Sequence, residues 1–404
     1  MDRCRLADCF ARAIGRRETA VTTPCKLLVV YGTRPEAIKI APLVALAATD
    51  ERFEIVTVST GQHKEMVDQV NSMFGISPNY ELSVMTHRQP LNMLLGKVLQ
   101  SLDPILDQEA PAMVISQGDT STALAAALGA FHREIPVAHL EAGLRTGNIR
   151  SPFPEEANRK LIAQVTSLHL SPTPQSRTNL LVEKFDPASI AVTGNTVIDA
   201  LFTVRQISTQ FTDSALQQLY DSDRRIVLVT THRRENLAPM ANIGRAIRKL
   251  AQQHPAVSFV LPAHLNPAVR AAMLPEIAGS DNVLVTEPLP YLEFVQLMDR
   301  SEIVLTDSGG VQEEAPSLGK PVLVMRENTE RPEAIQAGTV RLVGTATDHI
   351  VTGVNELLTD AVAYKAMANA MNPYGDGHAA QRCLAAIADY FNVGSRLPDF
   401  NASA

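Results

Sequence analysis

The chain has no tryptophan, and aromatic residues make up only 5% of its 404 positions. Binding by stacked bases or aromatic cages is therefore poorly supplied. Cysteine is scarce as well: Cys4, Cys9 and Cys25 lie near the N-terminus and Cys383 stands alone. Their spacing matches no zinc site, and a disulfide framework does not suit a chain this long, so a reducing, cytoplasmic compartment is expected. No apolar run reaches the roughly 20 residues needed to cross a bilayer, so no membrane insertion is expected. Positive charge is not in excess either: 36 Lys and Arg stand against 43 Asp and Glu, a formal charge of −7. That balance supplies no field for nucleic acid, and an anionic ligand has to be held by a local cluster. Also missing are the phosphate loop G-x-x-x-x-G-K-[ST], the metal helix H-E-x-x-H and the nucleophile elbow G-x-S-x-G. Gly375 to Ala380 spell G-x-G-x-x-A, but after a turn and near the chain end, which is the wrong setting for a dinucleotide site.

What the sequence does have is a rhythm. Residues 1–25 carry several arginines without the apolar stretch of a signal peptide and read as a loosely ordered extension. From Lys26 onward, short β-branched runs ending in Gly, Ser or Asp alternate with amphipathic stretches. The strand candidates are 27–32, 53–60, 112–118, 135–140, 168–172 and 189–194, and then 225–231, 257–263, 282–288, 302–308 and 321–326. Fully apolar strands alternating with helices predict parallel sheets covered on both faces, and two successive sets predict two doubly wound α/β domains. We place them at 26–195 and 196–375, with a last helix at 376–394 crossing back to the first. Met240–Gln253 has apolar residues at 240, 243, 246, 247 and 250, one stripe of a 3.6-residue period.

In open α/β sheets ligands bind beyond the carboxyl ends of the strands, so the residues there are the candidates. Ser308-Gly309-Gly310 precedes a helical stretch, where bare backbone N–H groups can approach a phosphate. An ordinary strand-to-helix turn would look the same. Arg34 and Arg331 could close on one anion as forked donors, although either alone also suits a surface ion pair. Asp119, Glu141 and Glu155 follow strands or turns from which they could converge, and crowding would then raise some of their pKa values. Asp119 and Glu155 equally suit helix starts. His232, after its strand, suits a general acid or a phosphate ligand, or a local structural partner.

Eight motifs in fixed order carry a resemblance. They are Gly32-Thr33-Arg34-Pro35-Glu36-Ala37-Ile38-Lys39, Gln117-Gly118-Asp119-Thr120, His139 through Thr146, Pro154 through Arg159, Thr193-Gly194-Asn195-Thr196, His232 through Asn236, Asp307 through Glu314 and Thr329 through Glu333. Together they resemble the non-hydrolysing UDP-N-acetylglucosamine 2-epimerases. The resemblance implies two Rossmann-like domains facing across a cleft, the glycosyltransferase-B type. It implies reversible inversion at C2 of UDP-GlcNAc to give UDP-ManNAc, through loss of UDP to a 2-acetamidoglucal and re-addition, supplying ManNAc for cell-surface polysaccharide. No metal and no cofactor are expected, and a homodimer is. Carried over by position, Asp119, Glu141, Glu155 and His232 fall on the family's catalytic residues. Arg34, Lys39, Ser308, Gly309, Gly310, Glu314 and Arg331 fall on its UDP contacts, and Phe294 falls beside the uracil. Gln62, His63, Arg88 and Gln89 resemble the contacts of a second UDP-GlcNAc that activates some bacterial members, with Lys64 standing where arginine is frequent.

Neighbouring specificities share most of these residues: a 2-epimerase of a UDP-diacetamido uronic acid, or a hydrolysing variant that releases free ManNAc. A glycosyltransferase of the same architecture is the alternative of a different class. The set of carboxylates weighs against it, since a retaining transferase needs mainly phosphate contacts. A nucleotide-sugar sensor is expected to have lost one or more of them.

Overall fold

The structure is a computed structural model that describes residues 23–86, 89–231, 239–329 and 331–402. The N-terminal extension up to residue 22, Arg88 and His232 lie outside the described residues. Two parallel sheets organise the chain. The first contains β1 (Cys25–Tyr31), β2 (Phe53–Ser59), β3 (Tyr80–Glu81), β4 (Met113–Gln117), β5 (Val137–Leu140), β6 (Leu168–Ser171) and β7 (Ile190–Val192) in the order β3-β2-β1-β4-β5-β6-β7. The second contains β8 (Arg225–Thr230), β9 (Val257–Pro262), β10 (Val283–Thr286), β11 (Ile303–Thr306), β12 (Val322–Val324) and β13 (Val340–Leu342) in the order β10-β9-β8-β11-β12-β13. Every pairing is parallel, and helices cover both faces, as the unbroken Val, Ile and Leu runs require. In each sheet the strand order reverses once, between β1 and β4 and between β8 and β11. These are the crevices where an open α/β sheet takes its ligand.

All eleven strand candidates form. β3 and β13 were not anticipated, since each is two or three residues long with polar positions, too short to show a period. Helix Met240–Gln253 forms over the expected span and buries the expected stripe. Among the described residues no helix is long and apolar enough to cross a membrane.

One apolar cluster runs through both halves. Leu27, Val29 and Ile115 of the first sheet and Ile226, Leu228 and Val304 of the second belong to it, together with Ile198 and Leu201 of helix Thr196–Arg205 and Ile387 of helix Ala379–Tyr390. Thr196–Arg205 packs against Arg34–Ala47 on one side and against Tyr291–Arg300 and Gly309–Ser317 on the other. The last helix returns from the second half to pack on Arg34–Ala47. Gly375 and Gly377, the glycines of the rejected fingerprint, serve this crossing. Gly377 has φ +83 and lies so close to the Phe202 ring that no side chain would fit.

Asp199 fastens the crossing helix. Its carboxylate accepts from Ala379 N at 3.2 Å and Ala380 N at 2.8 Å, satisfying amides that a helix start leaves open. Burial raises its pKa from 3.8 to about 6, against the pull of those two amides. The fold therefore favours the protonated acid, and this contribution is complete below about pH 4 and lost as pH rises through 6. Urea unfolding of wild type and Asp199→Asn should diverge between pH 4 and 7 in favour of Asn, by up to about 3 kcal/mol. Asp199→Ala, with no acceptor for the two amides, should lose about 1–2 kcal/mol even at pH 4.

Candidate active site

The site is built on the loops that leave the two switch points. After β1, Thr33 caps helix Arg34–Ala47, and Glu36 answers in a capping box. Glu36 is almost fully buried and does more than cap. It accepts from Gly32 N (2.9 Å), Thr33 N (2.7 Å) and Thr33 Oγ1 (2.9 Å), and its other oxygen accepts from Thr120 Oγ1 at 2.5 Å. The β1 and β4 loops are thereby tied together. The β4 loop is also held by His139, whose Nε2 contacts the Gly118 carbonyl at 2.7 Å. Burial lowers the His139 pKa to about 4, so the ring is neutral at pH 7 and donates here.

From this frame Lys39 reaches across to Glu141 at the end of β5, Nζ to Oε1 2.5 Å. The second oxygen of Glu141 accepts from Gln117 Nε2 at 2.7 Å. Glu141 has φ +71, a left-handed conformation that a non-glycine residue adopts at a cost. Asn195, after β7, donates to Glu141 Oε1 at 3.3 Å and to Glu313 Oε2 at 3.0 Å. Glu313 also accepts from Arg331 Nε at 2.6 Å. An unbroken polar array, Lys39–Glu141–Asn195–Glu313–Arg331, thus joins the loops of one half to those of the other.

Asp119 stands beside this array, its carboxylate paired with Arg159 Nη2 at 2.5 Å, and Asn158 Nδ2 donates to its backbone carbonyl at 2.7 Å. Both partners come from helix Glu155–Val165. Glu155, one turn earlier, shares their face of the helix and so faces the same region. The alternative that Asp119 is a helix cap fails: Thr120 is the N-cap of Ser121–His132, its hydroxyl accepting from Ala123 N. Glu155 is the first residue of its helix, so the favourable charge–dipole contact stands for it alongside any chemistry.

The expectation that crowding would raise the carboxylate pKa values is corrected at Glu141. Burial pushes its acid up, but the Lys39 ammonium, with Arg331 and Arg159 further off, outweighs that and leaves it below the usual carboxylate range. Lys39 mirrors it: burial pulls it down, and Glu141 and Glu313 lift it above its ordinary value. Lys39 and Glu141 form an ion pair. Glu314 behaves oppositely, raised to about 7 by burial although Tyr291 donates its phenol to Oε1 at 2.6 Å. Arg34 lies over the Tyr291 ring, 5.7 Å from its centroid.

In the second half, Ser308 occupies the N-cap of helix Gly309–Ser317, but its hydroxyl makes no capping bond. The first amides of that helix are left for another acceptor, at the positive end of its dipole. Gln312 donates to Ser308 O (3.0 Å) and accepts from Thr329 Oγ1 (2.8 Å), and Thr329 in turn receives Arg331 N. This chain sets the Arg331 loop against the helix start. Phe294 is half-buried one turn after Tyr291, packed against the main core.

The structure therefore brings Lys39 and Glu141 together directly, joins Arg331 to them through Asn195 and Glu313, and sets Asp119 beside them and Arg34 with Glu314 around Tyr291. Gln62 and His63 lie against the Gly32 turn, and Gln89 bonds within its own loop. Gln62 accepts from Thr122 Oγ1, the His63 amide donates to Gly32 O, and Gln89 accepts from Thr86. Arg145, within one of the motifs, is spent on a two-pronged pair with Glu183. Sequence reasoning assigned no role to Gln117, Arg159, Asn195, Tyr291 or Glu313. All but Tyr291 stood inside the quoted motifs, and that was the available signal. Among the described residues no cluster of three or more His, Cys, Asp or Glu could hold a metal ion. A cavity of about 690 Å³ lies elsewhere, under the N-terminal ends of β9 and β10, where Arg224 and Arg248 bond to backbone carbonyls.

Fold and site define a two-domain α/β protein of the glycosyltransferase-B type, with buried, paired charges where its halves meet. The family model for UDP-N-acetylglucosamine 2-epimerase matches residues 45–388. The UDP-N-acetylglucosamine 2-epimerase of Escherichia coli K12 is 50% identical over 368 residues, covering 90% of this chain and 98% of that one. That of Yersinia pestis is 49% identical over 371 residues, covering 90% and 99%. The crystal structure of the Neisseria meningitidis UDP-GlcNAc 2-epimerase bound to UDP-GlcNAc superposes with a TM-score of 0.81 at 43% identity, covering 90% of this chain and 100% of that one. The chain belongs to the UDP-N-acetylglucosamine 2-epimerase family.

The Lys39–Glu141 pair makes a direct expectation. In Glu141→Gln, burial of Lys39 is no longer answered at 2.5 Å, and only Glu313 remains to hold its proton. The Lys39 pKa should fall, read by NMR titration of labelled lysine. An unchanged titration would show that the pair does not exist in solution.

Proposed function

We propose that the chain is a non-hydrolysing UDP-N-acetylglucosamine 2-epimerase, interconverting UDP-GlcNAc and UDP-ManNAc and supplying ManNAc for cell-surface polysaccharide from the cytoplasm. The observation that supports this reading is the polar array from Lys39 to Arg331, because it joins Glu141 to two cations in one network, an arrangement suited to a base beside a departing diphosphate. The domains are taken as 26–195 and 196–375, with 376–394 crossing back and the cleft between the two as the site.

C2 of the substrate has no neighbouring carbonyl to acidify its proton, so simple deprotonation is too hard. In the proposed reaction a base takes the C2 proton while its electron pair forms the C1=C2 bond. The C1–O bond breaks, and UDP leaves with the pair of electrons from that C1–O bond. Return of UDP to C1 and of a proton to the other face of C2 completes the inversion. Two faces need acids and bases on both sides, and Asp119, Glu141, Glu155 and His232 serve as a coupled set. The departing diphosphate needs preorganised positive charge. Arg34, Lys39, Arg331 and the helix start at Ser308, Gly309 and Gly310 supply it. Glu314 takes the ribose hydroxyls, and Phe294 lies by the uracil.

Lys39 gives the mechanism a trigger. Its ammonium neutralises Glu141. A diphosphate that draws the ammonium away leaves Glu141 buried with less compensation, which makes it a stronger base. The alternatives are weighed by the same groups. A glycosyltransferase would need the phosphate contacts but not paired acids, and helix capping does not account for Asp119, since Thr120 takes that position.

Incubation with UDP-GlcNAc in D2O should place deuterium at C2 of both epimers, with traces of UDP and the glycal. Stoichiometric free ManNAc would indicate the hydrolysing type, and absence of C2 exchange would sink the epimerase reading. Asp119→Asn and Glu141→Gln should abolish exchange and leave UDP binding measurable. Because burial raises the Glu314 pKa to about 7, UDP affinity should weaken as pH falls through 7 and its carboxylate acquires a proton. Calorimetry of Glu314→Gln should show weaker binding with a flatter pH dependence.

For a homodimer with a second UDP-GlcNAc activating through Gln62, His63, Arg88 and Gln89, UDP-ManNAc alone should stay inert until a trace of UDP-GlcNAc is added. Full turnover of UDP-ManNAc from the first seconds would remove the activator.

A further inference from the structure

Asn195 sits where the two halves meet, 4% exposed, at the N-cap of helix Thr196–Arg205. Its side-chain oxygen accepts from Val197 N at 3.1 Å, the ordinary duty of a cap. That bond fixes which end of the carboxamide is nitrogen, and the nitrogen spans Glu141 Oε1 and Glu313 Oε2. A flipped amide would set an oxygen against two carboxylates and lose the cap.

The backbone around it is clamped. Asn195 N donates to Tyr374 O at 2.6 Å. Gly194 has φ +85, and an added Cβ would meet Ala379 Cβ at 3.4 Å and Gly375 Cα at 3.5 Å. Asn372 Nδ2 donates to Glu313 O at 2.8 Å, so the segment that holds Asn195 also holds Glu313. A cap alone needs only the oxygen. The two donor bonds are a separate feature, and they connect groups 54 and 118 residues away in the chain.

Each carboxylate also has its cation: Lys39 shares Glu141 Oε1 with Asn195, and Arg331 takes the other oxygen of Glu313. Between them stands a neutral donor. We propose that Asn195 is a positioning residue for the epimerisation, its amide hydrogens holding Glu141 in register with the Glu313–Arg331 pair so that seating of the diphosphate sets the place of the base. The inference rests on the epimerase reading given above. It assigns Asn195 no contact with substrate. Its effect passes through Glu141, and misplacement of a reacting group by about 1 Å can cost on the order of a hundred-fold in rate.

Two variants separate positioning from capping. Asn195→Ser keeps a capping oxygen but is too short to reach either carboxylate. Asn195→Asp keeps the cap at full length and turns the donor into an acceptor between two carboxylates. The measurements are C2 deuterium exchange at saturating UDP-GlcNAc, KM, UDP affinity by calorimetry and the melting temperature.

For Asn195→Ser the expected result is a folded protein, UDP affinity within about three-fold of wild type, and kcat lowered roughly 30- to 100-fold. For Asn195→Asp the loss should be deeper at pH 8.5 than at pH 6, because a protonated acid regains a donor, so its pH–rate profile should tilt toward acid relative to wild type. A kcat for Asn195→Ser within two-fold of wild type overturns the proposal. So does a loss shared equally by UDP affinity and melting temperature, or an Asn195→Asp profile parallel to wild type, since these mark a merely structural residue. Absence of exchange in wild type brings down the epimerase reading instead, and with it any positioning role in that reaction.

Discussion

Two carboxylates and two cations buried where the halves meet are the constraint on which the rest of the structure depends. Taking such ions out of water costs several kcal/mol each, and only close, complete pairing offsets it. Lys39 answers Glu141, Arg331 answers Glu313, and Asn195 joins the two pairs. Removing one member strands another, so the array exists only when both sheets, helix Thr196–Arg205 and the crossing C-terminal segment are all in place. A buried ion array is a poor way to gain stability, since apolar residues of the same volume often do as well. Its presence at the carboxyl ends of the strands fits a role in chemistry better than one in holding the fold.

Much of the surrounding structure reads as support for that array. Glu36 accepts four hydrogen bonds and ties the β1 and β4 loops, so that Lys39 and Asp119 start from one rigid frame. Gln312 and Thr329 set the Arg331 loop against the helix that carries Glu313 and Glu314. The left-handed backbone at Glu141 costs free energy, and the three partners converging on its carboxylate hold it there. The continuous apolar cluster through helices Thr196–Arg205 and Ala379–Tyr390 holds the two halves of the array together.

The elements were legible because their physics is local. A strand buried on both faces must be apolar throughout, and a helix with one covered face must repeat at 3.6 residues, so the eleven runs and Met240–Gln253 could be read directly. β3 and β13 were not legible, being too short for any period. The candidate site was legible as a set of strand ends, and the resemblance supplied its members. The wiring was not. Asn195 and Glu313 are 118 residues apart, and neither has a type or spacing that announces a buried bridge. Asp119 looked like a cap because Asp caps helices well, and only the structure shows Thr120, one residue on, taking the position.

Glu141 and Glu314 make the deeper point, because the same side chain at similar depth is driven in opposite directions. Both are raised by burial. At Glu141 an ammonium at 2.5 Å reverses that, while at Glu314 the nearest partner is a neutral phenol and the acid climbs to about 7. Neither residue type nor depth decides the protonation state; the reach of one cation does. This is also why the net charge of −7 says so little about an anionic ligand. Its sign is set by residues mostly in water, where charges are screened within about 10 Å. The groups that would meet a diphosphate are buried and few, and each has a close partner to exchange for it. On the proposed reading, binding of a dianion there would be a swap of counter-charges inside the protein, and the charge released by the swap would be the carboxylate of Glu141.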